Sequence, residues 1–197
     1  MKKFIIALMA FALVITLAGC GGGGGGGGFV LDRGDNGAAL KNYGDGKDFT
    51  AVKKAYDDIN AVFQSNDSSS DKDGTIRGNA FAECISENYT GSSEYTTDVS
   101  TKSKLVSRLK SLIKSKKFEG LEIIPYKTLN GATKTTVKEK TKLFVASFKH
   151  NGNTYTNKEY TFESIEWVNE GTAEDQKWRI VSGFDDLGKS ANELAGI

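Results

Sequence analysis

Hydrophobic residues fall along this chain in three regimes. From Phe4 to Leu17 they form a run broken only by Thr16, behind Lys2 and Lys3. Eight glycines follow, Gly21 to Gly28, and apolar periodicity stays weak until about Asp48. Beyond that point the pattern becomes periodic. Asp48 suits an N-cap, and Phe49, Val52, Tyr56, Ile59 and Phe63 recur at steps of three and four, which predicts a helix with one apolar face. A second helix is expected over roughly Gly78 to Asn88, with Phe81, Cys84 and Ile85 on one side. A third begins near Ser100 and carries Leu105, Leu109, Leu112 and Ile113, with lysines over the rest of its circumference. Each helix is amphipathic, so all three need a common surface to pack on.

That surface follows in the sequence. Leu121 to Leu129 reads as a strand, Asn130-Gly131 as a tight turn, and about Thr133 to His150 as a longer strand. Asn151-Gly152 repeats the turn and leads into a strand from Tyr155 to Trp167. Asn-Gly accepts the left-handed dihedrals of a type I′ turn, so each pair between β-rich runs marks a hairpin. A looser loop, Asn169 to Gln176, precedes a last strand from Lys177 to Phe184, completing a four-stranded antiparallel meander. Pro125 lacks an N–H and therefore points to an edge or a bulge in the first strand.

The N-terminal run has a basic start, a short apolar core and small residues before Cys20, and it is too short to span a bilayer comfortably. Its end, Leu17-Ala18-Gly19-Cys20, resembles the signal of a bacterial lipoprotein. The resemblance implies cleavage before Cys20 and lipid on that residue, holding the protein to a membrane without a spanning helix. Gly21 is not the aspartate that retains such proteins in the inner membrane, which implies the outer membrane if the host has two. The chain then divides into a signal (1–19), a lipidated cysteine with a glycine-rich flexible tether (20–47), a domain (48–184) and a C-terminal tail (185–197).

Two helices, a short irregular piece from Tyr89 to Thr97, a third helix and four strands closing on Gln176-Lys177-Trp178-Arg179-Ile180-Val181 resemble the NTF2-like, cystatin-like superfamily. The fold it implies is α+β: three N-terminal helices packed on a curved antiparallel sheet of at least four strands, forming a cone around the first helix. The cone would be lined by Tyr56, Phe63, Tyr126, Phe144, Phe148, Tyr160, Phe162, Trp167 and Trp178. Leu143 and Val145 against Phe144, Ala146 and Phe148 give the long strand two apolar faces, and the outer one suits either a homodimer contact or burial under a loop or edge helix.

Chemistry is harder to place. Net charge is +1, which offers no general attraction for nucleic acid. Twelve basic residues against three acidic ones lie between Lys102 and Lys142, while Asp57 to Asp98 is acidic; the blocks can face each other or water, and the lysine-rich helix could also lie on anionic headgroups. The single histidine, His150, precedes a turn and is expected on a surface loop. Cys84 is expected as a small buried hydrophobe without a partner, since Cys20 is taken by lipid. Ser69 to Ala80 begins like a calcium loop, with Asp71 and Asp73 as weak candidate ligands, but position twelve is Ala80 where a bidentate glutamate is required. No carboxylate falls on an evident buried face, as acid–base catalysis would want. The expectation is a non-catalytic envelope lipoprotein without a cofactor, recognising a protein partner or its own copy through the outer face of the sheet. The alternatives are capture of a small apolar ligand in the cone and, behind it, an isomerase or hydrolase.

Overall fold

Helix α1 (Lys47–Ser65) owes its position to one stripe. Val52, Ala55, Tyr56, Ile59 and Phe63 are all buried, so the periodicity read from the sequence is the face that packs on the sheet. Each large side chain so buried contributes about 1.5–3 kcal/mol relative to exposure. The computed structural model describes residues 47–65, 70–129, 133 and 135–196. The signal, Cys20, the glycine tether, Ser69 and the Asn130-Gly131 turn lie outside them, as does the side chain of Tyr126.

Helix α2 (Thr75–Glu83) starts three residues earlier and stops five earlier than the apolar spacing predicts. Both shifts have a cause. At the start, Asp71 accepts from the amides of Ile76 and Arg77, and Gly74 turns the chain at a φ of 73°, where a side chain would meet Ile113 Cβ and the Lys110 carbonyl at 2.9 Å. At the end, the chain leaves the helix to pair with a strand. The Cys84 carbonyl accepts from Ile180 N–H at 2.8 Å, and Ser86 N–H donates to the Ile180 carbonyl at 2.9 Å. Cys84 and Ile85 are buried as expected, but from a short parallel bridge rather than a helix. Helix α3 (Lys102–Lys116) is capped by Thr101, and it buries Val106 besides the predicted Leu105, Leu109, Leu112 and Ile113.

Strands β1 (Glu119–Thr128), β2 (Thr136–His150), β3 (Asn153–Asn169) and β4 (Trp178–Ser182) form one antiparallel sheet in sequence order. Asn151 and Gly152 join β2 to β3 at φ values of 49° and 80°, the left-handed pair that the dipeptide predicts. Pro125 sits on edge strand β1 where the register with β2 slips before Lys127. Helix α1 is pinned to that edge by Asn60, whose amide accepts from Ile123 N–H and donates to the Ile123 carbonyl, both at 2.7 Å.

The sheet bends along two lines, and the lines decide which residues face inward. At the first, register slips at Pro125/Lys127 in β1 and Glu139/Thr141 against β3 flank Lys140 from both sides. At the second, Ala146 lies between Gly120 and Asn157, which have φ values of 61° and 51°. A Cβ on Gly120 would stand 2.5 Å from the Ala146 Cβ, so the strands can close there only around glycine. Inward-facing parity changes across this line: Val137, Leu143 and Val145 are buried before it, Phe148 and His150 after it. Beyond the line, Phe148 stacks on Tyr155 and meets Phe118 edge-on, making a second aromatic layer beside the end of α3.

The segment read as a tail carries a 3₁₀ turn (Asp185–Gly188) and helix α4 (Ala191–Ala195) closed by a Ser190/Glu193 capping box. Leu187 and Leu194 are buried, and Arg108 of α3 donates to the carbonyls of Leu187 and Lys189, both at 2.7 Å.

Candidate functional site

The concave face of the sheet meets α1 at Tyr56. Its hydroxyl accepts from Trp167 Nε1 at 3.0 Å and shares a proton with Thr141 Oγ1 at 2.9 Å, while the two rings meet edge-on at 4.9 Å. Burial pushes the Tyr56 phenol far above its usual range, so it stays neutral. Thr141 belongs to a row on β2, Val137, Glu139, Thr141, Leu143 and Val145, all directed inward and all buried.

Glu139 is the unexpected member of that row. Its exposure is 0%, and neither carboxylate oxygen has a hydrogen-bond partner among the described residues. Ile165 of β3 and Thr128 of β1 are its register partners. Burial raises its pKa from 4.5 to about 9, which keeps it a neutral carboxylic acid at physiological pH. In that form it has one O–H donor and an acceptor oxygen on the inner face of the sheet. The expectation that no carboxylate occupies a buried face is therefore overturned. The sequence held a signal: Glu139 shares the two-residue parity of Val137, Leu143 and Val145. Its charged neighbours Lys138 and Lys140 disguised it as part of a solvated run.

The predicted lining divides between surfaces. Tyr56, Phe63, Phe162, Trp167 and Trp178 belong to the core cluster, and Phe162 packs edge-on against Phe184 with ring centres 4.7 Å apart. Tyr160 packs on the same cluster with a buried hydroxyl that has no hydrogen-bond partner among the described residues, and burial raises its pKa to about 12. Phe148 belongs to the same cluster, packed edge-on against Phe118 past the second bend. Phe144, although buried, alternates with Leu143 and Val145 and so projects from the outer face. That outer face carries a ladder of cross-strand ion pairs, Lys138–Glu166 at 3.3 Å, Lys140–Glu163, and Lys142–Glu159 at 3.2 Å.

Other sequence candidates are occupied structurally. Asp71 gives both oxygens to backbone amides and pairs with the fully buried Arg77 at 3.0 Å, and Asp73 accepts from Thr75 N–H at 3.0 Å, so the calcium-like loop is a helix start. Among the described residues no cluster of three metal-ligating side chains occurs. His150 is not a surface-loop residue. It is 5% exposed, with Lys116 Nζ 2.7 Å from Nδ1 and Asn192 Oδ1 2.7 Å from Nε2. Cys84 is likewise not a lone thiol: it is fully buried and its sulfur is in a disulfide. Several α3 cations are engaged within the fold, Lys102 with Glu87 at 2.6 Å, Lys104 with Asp98, and Lys110 with Asn79 at 2.7 Å.

Solved structures similar to this chain include a Xanthomonas campestris protein named for the calcium/calmodulin-dependent protein kinase II association domain. It is 11% identical with a TM-score of 0.43, covering 71% of this chain and 86% of that one. An uncharacterized protein with a cystatin-like fold from Caulobacter vibrioides is also 11% identical with a TM-score of 0.41, covering 76% of this chain and 87% of that one. A Δ5-3-ketosteroid isomerase from a Mycobacterium species is 10% identical with a TM-score of 0.33, covering 64% and 91%. No family model matches the chain, and no curated protein sequence matches it. No activity is carried across from any of them.

Proposed function

We propose that the domain binds a small, largely apolar ligand between α1 and the concave face of the sheet, and that the neutral carboxyl of Glu139 fixes it. The observation that supports this reading is the buried, unpartnered state of Glu139 in a row otherwise filled by Val137, Thr141, Leu143 and Val145. An unsatisfied buried polar group costs about 1–3 kcal/mol, and a ligand that accepts its proton removes that cost. Tyr56 is tied to Thr141 and Trp167, so the arrangement supports binding by a single donor over a two-residue acid–base pair. The ion-paired outer face gives partner recognition or dimerisation through the sheet less apolar surface to work with.

Native mass spectrometry of the full chain purified from its own host tests the proposal. The wild type is expected to carry a small molecule that the Glu139→Leu variant lacks. A wild type as bare as the variant would overturn it.

We further propose that the domain is held at a membrane through lipid on Cys20. The motif Leu17-Ala18-Gly19-Cys20 supports this, and no described helix is long and apolar enough to cross a bilayer. Lipid at Cys20 requires that sulfur to be outside any disulfide, because one sulfur cannot hold both. Intact mass under non-reducing, denaturing conditions is expected to show a lipid-bearing N-terminus at Cys20. An N-terminus without lipid would refute the anchor.

A further inference from the structure

The ring of His150 joins three elements that are distant in sequence. From β2 it reaches the last turn of α3 at Lys116 and helix α4 at Asn192, and the Tyr155 ring of β3 lies alongside at 6.5 Å between ring centres. An ammonium group has donors only, so a Lys116 Nζ 2.7 Å away requires Nδ1 to be a bare acceptor. A neutral ring must then carry its proton on Nε2, which is where the Asn192 Oδ1 accepts at 2.7 Å. One tautomer satisfies both sides of the ring.

Among the described residues no carboxylate forms an ion pair with Lys116 or bonds the ring. From α3 the ring faces Lys116. From α4 it faces Asn192, while Glu193 is turned to the Ser190 amide at 2.7 Å by the capping box. From β3 it faces Tyr155, above which Lys158 Nζ stands 5.7 Å from the ring centre. A second ring proton would place an N–H against an ammonium at hydrogen-bond distance, two charged donors facing each other with the ring itself 5% exposed. The Asn192 bond survives that change and the Lys116 bond does not.

We propose that His150 is an acid-sensitive clasp, holding the C-terminal turn of α3 to the β2–β3 hairpin while neutral and releasing it when protonated. The released element is specific. Phe118 and the β1 start follow directly from that turn and the Phe118 ring packs on Phe148, so this aromatic contact loosens while Tyr56 keeps its bonds to Thr141 and Trp167.

The chain has a single histidine, so imidazole nitrogen shifts can be read on the full-length protein without assignment ambiguity. At pH 7.5 the ring is expected as the Nε2–H tautomer. Hydrogen exchange is then compared at pH 7.5 and 5.5, corrected for intrinsic rates. Protection over residues 112–119 should fall roughly tenfold in the wild type, the linkage of one proton being at most tenfold per pH unit. His150→Gln keeps an acceptor for Lys116 and a donor for Asn192 but cannot titrate, so its protection should not change with pH. Lys116→Met removes the opposing cation and should also lose the pH response. An Nδ1–H tautomer at pH 7.5, or equal acid sensitivity in wild type and His150→Gln, would show that the ring is merely packed.

Discussion

Glu139→Leu is expected to make the domain more stable at neutral pH, by about 3 kcal/mol, and to flatten its pH dependence. Glu139 holds its proton up to about pH 9 in the fold, whereas an unfolded glutamate releases it near 4.5. Between those values the unfolded chain binds fewer protons than the folded one, so stability falls as pH rises. The slope is about 1.4 kcal/mol per unit while the difference is complete. The contribution is fully present below about 4.5, is being lost throughout that window and changes no further above about 9. Leucine of similar volume has neither a proton to lose nor oxygens to leave unpaired. Guanidinium denaturation of both proteins at pH 5, 7 and 9 isolates the effect, because every other titrating group is common to the pair. Parallel pH profiles would mean that Glu139 finds a partner in solution and that the buried acid is not the site. Stabilisation joined to loss of the bound molecule would mark a position kept costly for its use.

The opposite result is expected at Arg77, where substitution by methionine should remove about 3–5 kcal/mol. The guanidinium is fully buried. It donates from Nε to Asp71 at 3.0 Å, from Nη1 to the Phe118 carbonyl at 2.6 Å and from Nη2 to the Asp71 carbonyl at 3.3 Å. It therefore ties the start of α2 to the residue that enters β1. Removing it strands the Asp71 carboxylate and an inward carbonyl in a dry interior, whereas removing both charges leaves less to satisfy. Asp71→Asn combined with Arg77→Met should recover part of the loss. Urea midpoints measure all three, and a single variant within 1 kcal/mol of wild type would contradict the assignment of Arg77 as a structural tie.

The elements with regular periods were legible in the sequence. The α1 stripe, the buried row of α3, the four strands and the Asn151-Gly152 turn appear where the pattern puts them. The departures share a physical origin, a local rule overridden by a distant partner. Helix α2 stops because its next residues pair with Ile180, nearly a hundred positions away. His150 looked exposed because the turn beside it is, while the helices that cover it come from before β1 and after β4. Glu139 required trusting strand parity through a lysine-rich run, and Phe148 required knowing that the parity reverses at Ala146. A backbone that turns left-handed at Gly120 and Asn157 does not announce itself when one of the two is an ordinary asparagine.

Asn60 has one more consequence. Strand β1 borders the sheet, and an open border is a template on which a second chain can add its own strand. The side-chain amide of Asn60 occupies the outward N–H and carbonyl of Ile123 in the manner of a one-residue strand. A neighbouring copy would have to displace α1 itself to extend the sheet there, so the contact that anchors the helix also blocks polymerisation along that edge.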